Sequence, residues 1–75
     1  MKKLKEIKID TEYIKLGQLL KLGNIVSQGS EAKFYISQGY VSLNDTVVYE
    51  RGKKVYPNDM VLVKLDNETF NIKVI

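Results

Sequence analysis

"GSEAKFYISQGYVSLND", residues Gly29 to Asp45, changes period halfway along. Ala32, Tyr35 and Ile36 recur at i, i+3 and i+4, the apolar stripe of a short helix. In the preceding "SQGSE", Ser27, Gln28 and Ser30 are N-cap candidates, and Glu31 suits the positive end of a helix. The predicted helix runs from Ser30 to about Gln38, where Gly39 can take the left-handed angles that stop it. Beyond Gly39 the spacing becomes two. "YVSLN" and "TVVYE" read as strands joined by Asn44-Asp45, a pair suited to the positive φ angles of a tight hairpin. Lys33, Phe34 and Ser37 are left on the helix side away from the stripe. A ring between a lysine and a hydroxyl is an odd choice for a face that needs only solubility.

Upstream, Leu16, Leu19 and Leu20 share one face of a first helix ending at Leu22, with Gly23-Asn24 as its stop. Gly17 in its first turn costs about 1 kcal/mol against alanine, so a close backbone approach there would account for it. "LKEIKI" alternates imperfectly and predicts a first strand from about Leu4 to Ile9, with a turn at "DTEY". Ile25 and Val26 read as core plugs between the helices. Downstream, Pro57-Asn58-Asp59 is another turn, and "MVLVKL" and "TFNIKVI" form a hairpin across Asp66-Asn67-Glu68. The order is strand, two short helices, four strands. That is an α+β fold, two short helices packed on a small, mainly antiparallel sheet of about five strands, filling residues 1–75 as one domain.

With 75 residues and neither cysteine nor histidine, the fold depends on its apolar core, without disulfides or imidazole and thiolate metal sites. The basic N-terminus lacks a signal peptide's apolar stretch and no window suits a membrane span, which predicts a soluble, cytoplasmic protein with no membrane partner. Catalysis lacks candidates: no serine has an evident activating partner, and capping or turn roles account for Glu31, Asp45, Asp59 and Asp66. Phosphate-loop and dinucleotide motifs are absent too. The expectation is a non-enzyme with no catalytic residue, metal, cofactor or small-molecule substrate.

Twelve Lys plus Arg against nine Asp plus Glu, a formal +3, lean mildly toward polyanions. Placement matters more. Helix N–H groups around Gly29 to Ala32 can meet a phosphate, Gly29 carries no side chain to block it, Ser30 starts the same turn, and Lys33 and Ser37 follow on one face. A plainer role is open, in which Gly29 and Ser30 start a helix and Lys33 is solvated. Phe34 suits stacking on an unpaired base, packing against the first helix or first strand, or anchoring a protein contact. Arg51, Lys53 and Lys54 in "ERGKKVY" are either a solvated loop or an extension of a positive groove. Tyr40, Tyr49 and Tyr56 read first as sheet or hairpin residues, and Lys2, Lys3 and Lys5 as a mobile basic arm.

"LGQLLKLGNIVSQGSEAKFYISQGYVSLNDTVV" followed by "KKVYPND" resembles the RNA-binding domain of ribosomal small-subunit protein S-four, the alpha-L motif. The likeness rests on Leu16, Leu19 and Leu20, on Ser30-Glu31-Ala32, on Ile36 to Gly39, on Val41 to Asn44 and on Pro57 to Asp59. It covers about residues 13–63. Tyr13-Ile14, Leu16-Gly17-Gln18, Gly29, Ala32-Lys33-Phe34 and Arg51 to Lys54 are most similar to short stand-alone bacterial members of the YaaA type. Many members have basic residues where this chain has Gln18, Leu22, Gly29, Phe34 and Ser37; Lys15 and Lys33 keep the charge. The resemblance implies an RNA-binding protein recognising structured RNA, ribosomal RNA or a ribosomal particle, through the helix pair and adjoining hairpin. It implies Lys15, Gln18, Lys33, Phe34 and Ser37 on one surface. The rival from another class is an adaptor docking on a ribosomal or replication and repair protein through the Phe34 face. A carrier protein modified at its end is a weaker third, since "NIKVI" has no Gly-Gly tail.

Overall fold

The computed structural model describes residues 2–75. Nine elements follow one another: β1 (Lys2–Ile7), β2 (Ile14–Lys15), α1 (Leu16–Leu22), α2 (Gly29–Ser37), β3 (Val41–Leu43), β4 (Thr46–Val47), β5 (Lys54–Val55), β6 (Met60–Lys64) and β7 (Thr69–Val74). Five strands form a sheet in the order β1-β7-β6-β3-β4, and β2 pairs with β5 in a separate two-stranded ladder. All pairings are antiparallel except β1 with β7, which run parallel from Lys2 opposite Thr69 to Ile7 opposite Val74. The α+β class and the mainly antiparallel five-stranded sheet match the expectation.

Four local expectations are corrected. The first strand is Lys2–Ile7 rather than Leu4 to Ile9, because its partner β7 sets its extent. Lys3, Lys5 and the backbone of Lys2 therefore belong to a hydrogen-bonded strand, not a mobile arm. Only Thr46–Val47 of "TVVYE" is strand, since β4 lies at the sheet edge with β3 as its single neighbour. The second helix is Gly29–Ser37, one residue earlier at each end than expected, with Gln28 as N-cap and Gln38 as C-cap.

Both helices stop by the same device. After α2, Gly39 (φ 81) donates its N–H to the Ile36 carbonyl and Tyr40 donates to that of Tyr35. This is the paired closure of a Schellman motif. After α1 the left-handed residue is Asn24 (φ 60), with Asn24 donating to Lys21 and Ile25 to Leu20. Gly23 itself has ordinary angles. A Cβ there would come within 2.8 Å of Ile7 Cδ1, so this glycine seats the end of α1 against β1.

Asn44 and Asp45 both have positive φ in the two-residue β3–β4 turn, as a type I′ hairpin requires. The Tyr56–Asp59 turn has proline at its second position and Asn58 at φ 78, and the Asp59 N–H donates to the Tyr56 carbonyl, a type II arrangement. Side chains join the two turns. Asn44 Nδ2 donates to Asp59 Oδ1 at 3.1 Å, and the Met60 N–H donates to Asn44 Oδ1 at 3.0 Å.

One core joins helices and sheet: Leu16, Leu19 and Leu20 from α1, Ala32 and Ile36 from α2, and Val26 between them. Val41, Val55, Val61, Val63, Ile72 and Val74 come from the strands. Along β6 the burial alternates, with Val61 and Val63 inward and Met60 and Lys64 out, the period-two signature of a half-covered sheet. The leucine stripe of α1 and the Ala32–Ile36 stripe of α2 thus face the sheet and turn their other sides outward.

Candidate nucleic-acid interface

No side chain caps α1 at its start. Its first two N–H groups have no acceptor inside the helix, and a distant loop supplies them: Leu16 N–H donates to the Lys53 carbonyl at 2.9 Å, Gly17 N–H to the Arg51 carbonyl at 3.0 Å. The expected close backbone approach is this Gly17–Arg51 bond, and Gly17 also leaves room for the Arg51 side chain, since a Cβ there would lie 2.5 Å from Arg51 Cγ. The β2–β5 ladder continues the attachment, pairing Ile14 with Val55 and Lys15 with Lys54.

The loop docked in this way closes one wall of an open groove of about 360 Å³. Lys15, Gly17, Gln18 and Lys21 line it from α1 and its start, Gly29 from the start of α2, and Arg51 and Gly52 from the loop. The structure thus brings together Lys15, Gln18, Gly29 and Arg51 of the residues singled out in the sequence. Lys54 stands beside them, directly across the ladder from Lys15, with its Nζ 4.8 Å from the centre of the Tyr13 ring. Facing lysines repel in a strand pair and make the fold slightly less stable. Among the described residues the one ion pair is Lys3 with Glu68, so no carboxylate lies within 4 Å of the ammonium or guanidinium of Lys15, Lys21, Lys54 or Arg51. A convergence of uncompensated cations has a field suited to a polyanion.

The start of α2 adds neutral donors. Gly29, Ser30 and Glu31 occupy its first turn, where N–H groups lack intrahelical acceptors. A Cβ on Gly29 would touch nothing within 4 Å, so the glycine leaves open space in the groove wall that the fold does not need. Glu31 is the one acidic residue of this turn, and its carboxylate is held toward the preceding loop, accepting from Ser27 Oγ at 2.8 Å and Ser27 N–H at 3.2 Å. Ser30 Oγ reaches Gln28 Oε1 at 3.5 Å. Lys33 and Ser37 follow Gly29 at four-residue steps on the exposed side of α2, and Ser37 Oγ donates to the Phe34 carbonyl at 3.0 Å.

The bonds from Ser27 lower the Glu31 pKa from its usual 4.5. Stability contributed by a carboxylate depressed in this way is fully present above 4.5 and fades as pH falls through the lower folded value. Acidification through that window is expected to loosen the α1–α2 connection. Ser27→Ala should return the Glu31 titration midpoint, followed by its carboxyl carbon NMR shift, toward 4.5.

Ser30, Lys33 and Ser37 lie on α2 outside this groove's wall, and two further residues line other sites. Phe34 is 54% exposed, as its place off the stripe predicts, but it lines a different groove with Tyr35, Tyr40 and the β6–β7 turn. Lys53 lines a shallow site beside Val47, Val48, Tyr49 and Glu50. Lys15 and Gln18 therefore share a groove with Gly29 and Arg51 rather than with Phe34. Neither Lys21 nor Tyr13 was expected at the site, though Tyr13 carries part of the family likeness. Lys21 stands three residues after Gln18, opposite the leucine stripe, so the periodicity that found the stripe also marks this position. Tyr13 carries no such signal, because its position under Lys54 depends on the β2–β5 pairing.

A leucine-striped helix and a second helix, both closed by left-handed stops, on a small sheet that seats a basic loop against the first helix, define the class. The chain belongs to the S4 domain family, whose sequence profile matches residues 7–73. Among its relatives is the probable ribosome maturation protein RlbA of Bacillus subtilis (strain 168). The two are 43% identical over 58 residues, covering 77% of this chain and 82% of that protein. Among the described residues no helix is long and apolar enough to cross a membrane.

Proposed function

We propose that this chain is a non-catalytic, ribosome-associated RNA-binding module of the cytoplasm that grips structured RNA, ribosomal RNA above all. The groove between α1, the start of α2 and the Arg51 loop would be its binding site. One observation carries the reading: Lys15, Lys21 and Arg51 converge with the open Gly29 corner, Lys54 faces Lys15, and among the described residues no carboxylate lies within 4 Å of their charged groups. Membership in the S4 domain family and the ribosome maturation role in the relative's name support it. In this reading Lys15, Lys21, Lys54 and Arg51 neutralise successive phosphates, and Arg51 adds a planar fork of donors. The free N–H groups of Gly29 and Ser30 take one phosphate oxygen, with Gln18 a neutral donor beside them. Lys33 and Ser37 extend the contact along α2, and Lys53 adds charge at the far side of the loop. Selectivity comes from the fit of a rigid groove to helix shape and to ribose hydroxyls.

Cross-linking in cells followed by sequencing of the attached RNA tests this. Ribosomal RNA is expected to be enriched over a Lys15→Glu, Arg51→Glu double variant, and recovery of no RNA above that control overturns the reading. Gly29→Ala separates binding from folding. The position has ordinary angles and open space, so stability should stay equal or rise by up to about 1 kcal/mol in urea unfolding. RNA affinity should nonetheless fall severalfold, because the new methyl group stands where a phosphate would approach.

A further inference from the structure

The second groove differs in chemistry. Its volume is about 630 Å³; Phe34, Tyr35 and Tyr40 form one wall, and Leu65, Asp66 and Glu68 lie on the β6–β7 side. The rings run in series, Phe34 to Tyr35 at 5.7 Å and Tyr35 to Tyr40 at 6.1 Å between centroids. Phe34 and Tyr40 stay 54% and 39% exposed, while Tyr35 is half-buried against the core and anchors the row. The acidic wall is fixed relative to the rings: Leu65 N–H donates to the Glu68 carbonyl at 2.8 Å, and Lys64 N–H to the Tyr40 carbonyl at 2.8 Å. Glu68 is engaged by Lys3 at 3.2 Å; among the described residues Asp66 has no cation within 4 Å.

Few ligands suit both walls. A nucleic-acid strand could stack its bases on the rings, yet its phosphates would meet Asp66 and Glu68. An apolar peptide would strip water from the carboxylates and give nothing back. A guanidinium satisfies both, lying flat on a ring face while its edge donates to a carboxylate. We propose that this groove docks an arginine-bearing basic segment of another protein, on a surface separate from the cationic groove. The charge complementarity is local: the chain is positive as a whole, and this groove sets Asp66, unpaired among the described residues and next to the Lys3-bound Glu68, across from exposed rings.

The test is an NMR titration of nitrogen-15-labelled protein with the peptide acetyl-Gly-Arg-Arg-Gly-amide. Comparators are the same peptide with citrulline for arginine, which keeps the shape and loses the charge, and oligouridylate RNA. The arginine peptide is expected to move the amides of Phe34, Tyr40 and residues 66–68, and the citrulline peptide to bind about tenfold more weakly. Phe34→Ala and Asp66→Asn, both at exposed positions, should each weaken the arginine peptide about fivefold. Arg51→Glu should leave it unchanged, which separates this site from the RNA site. Equal binding of the citrulline peptide, shifts scattered over other acidic residues such as Glu12 and Asp45, no shift at millimolar peptide, or tighter occupation of the same amides by oligouridylate would each overturn the proposal.

Discussion

A protein carrying Lys15→Glu and Arg51→Glu is expected to lose about a hundredfold in affinity for the RNA segment recovered by cross-linking. In the proposed site each side chain would supply one charge-assisted phosphate contact, and a contact worth about 1.4 kcal/mol is tenfold in affinity. The salt dependence carries the sharper signature. Losing the neutralisation of two phosphates should shallow the slope of log K against log salt by somewhat under two units. Fluorescence anisotropy at several salt concentrations measures both. Since Lys15 and Arg51 are exposed, the circular dichroism spectrum should not change. A wild-type slope near zero would show that phosphates are not what this groove holds, and a full-strength variant would show that these residues do not hold them. Lys33→Glu is expected to act in the same direction with a smaller effect, because Lys33 lies along α2 outside the groove wall.

Leu20→Ala should produce the largest loss of stability, about 3–5 kcal/mol. Leu20 is fully buried where α1 meets the sheet, so truncation leaves a cavity that helix and sheet cannot close together. A chain of this length has about 4–11 kcal/mol in all, which puts the variant near the edge of folding. Its thermal midpoint should drop by about 15 °C or more. Leu22→Ala, two residues on and 54% exposed, should cost no more than about 0.5 kcal/mol. Equal losses at the two positions would mean that the leucine stripe does not face the core.

The sequence revealed those features that short-range chemistry decides. Leu16, Leu19 and Leu20 lie within one turn of each other, so their common face follows from helix geometry alone. The stops at Asn24 and Gly39 and the turn at Asn44-Asp45 depend on left-handed backbone angles that few residue types accept. Phe34 was legible as exposed for the same reason, since its place off the stripe is a matter of helical angle. Features decided by distant partners were hidden. Ile14–Lys15 and Lys54–Val55 are two residues each, too short for any periodic pattern, and become strands only by meeting each other. The parallel match of β1 with β7 needed the whole sheet order. The allocation of Phe34 and Lys15 to different grooves could not be read from α2 alone, because the Arg51 loop builds one groove and the β6–β7 turn the other.

The side-by-side alignment of Lys2–Ile7 with Thr69–Val74 has a consequence for biosynthesis. Synthesis runs from the N-terminal side, so β1 is made well before β7 and must wait for it before its backbone donors find acceptors. Contacts so far apart along the chain slow folding, because the intervening loop must close before they form. Meanwhile the lysines of β1 keep that waiting edge charged, and a charged edge discourages pairing with strands of neighbouring nascent chains.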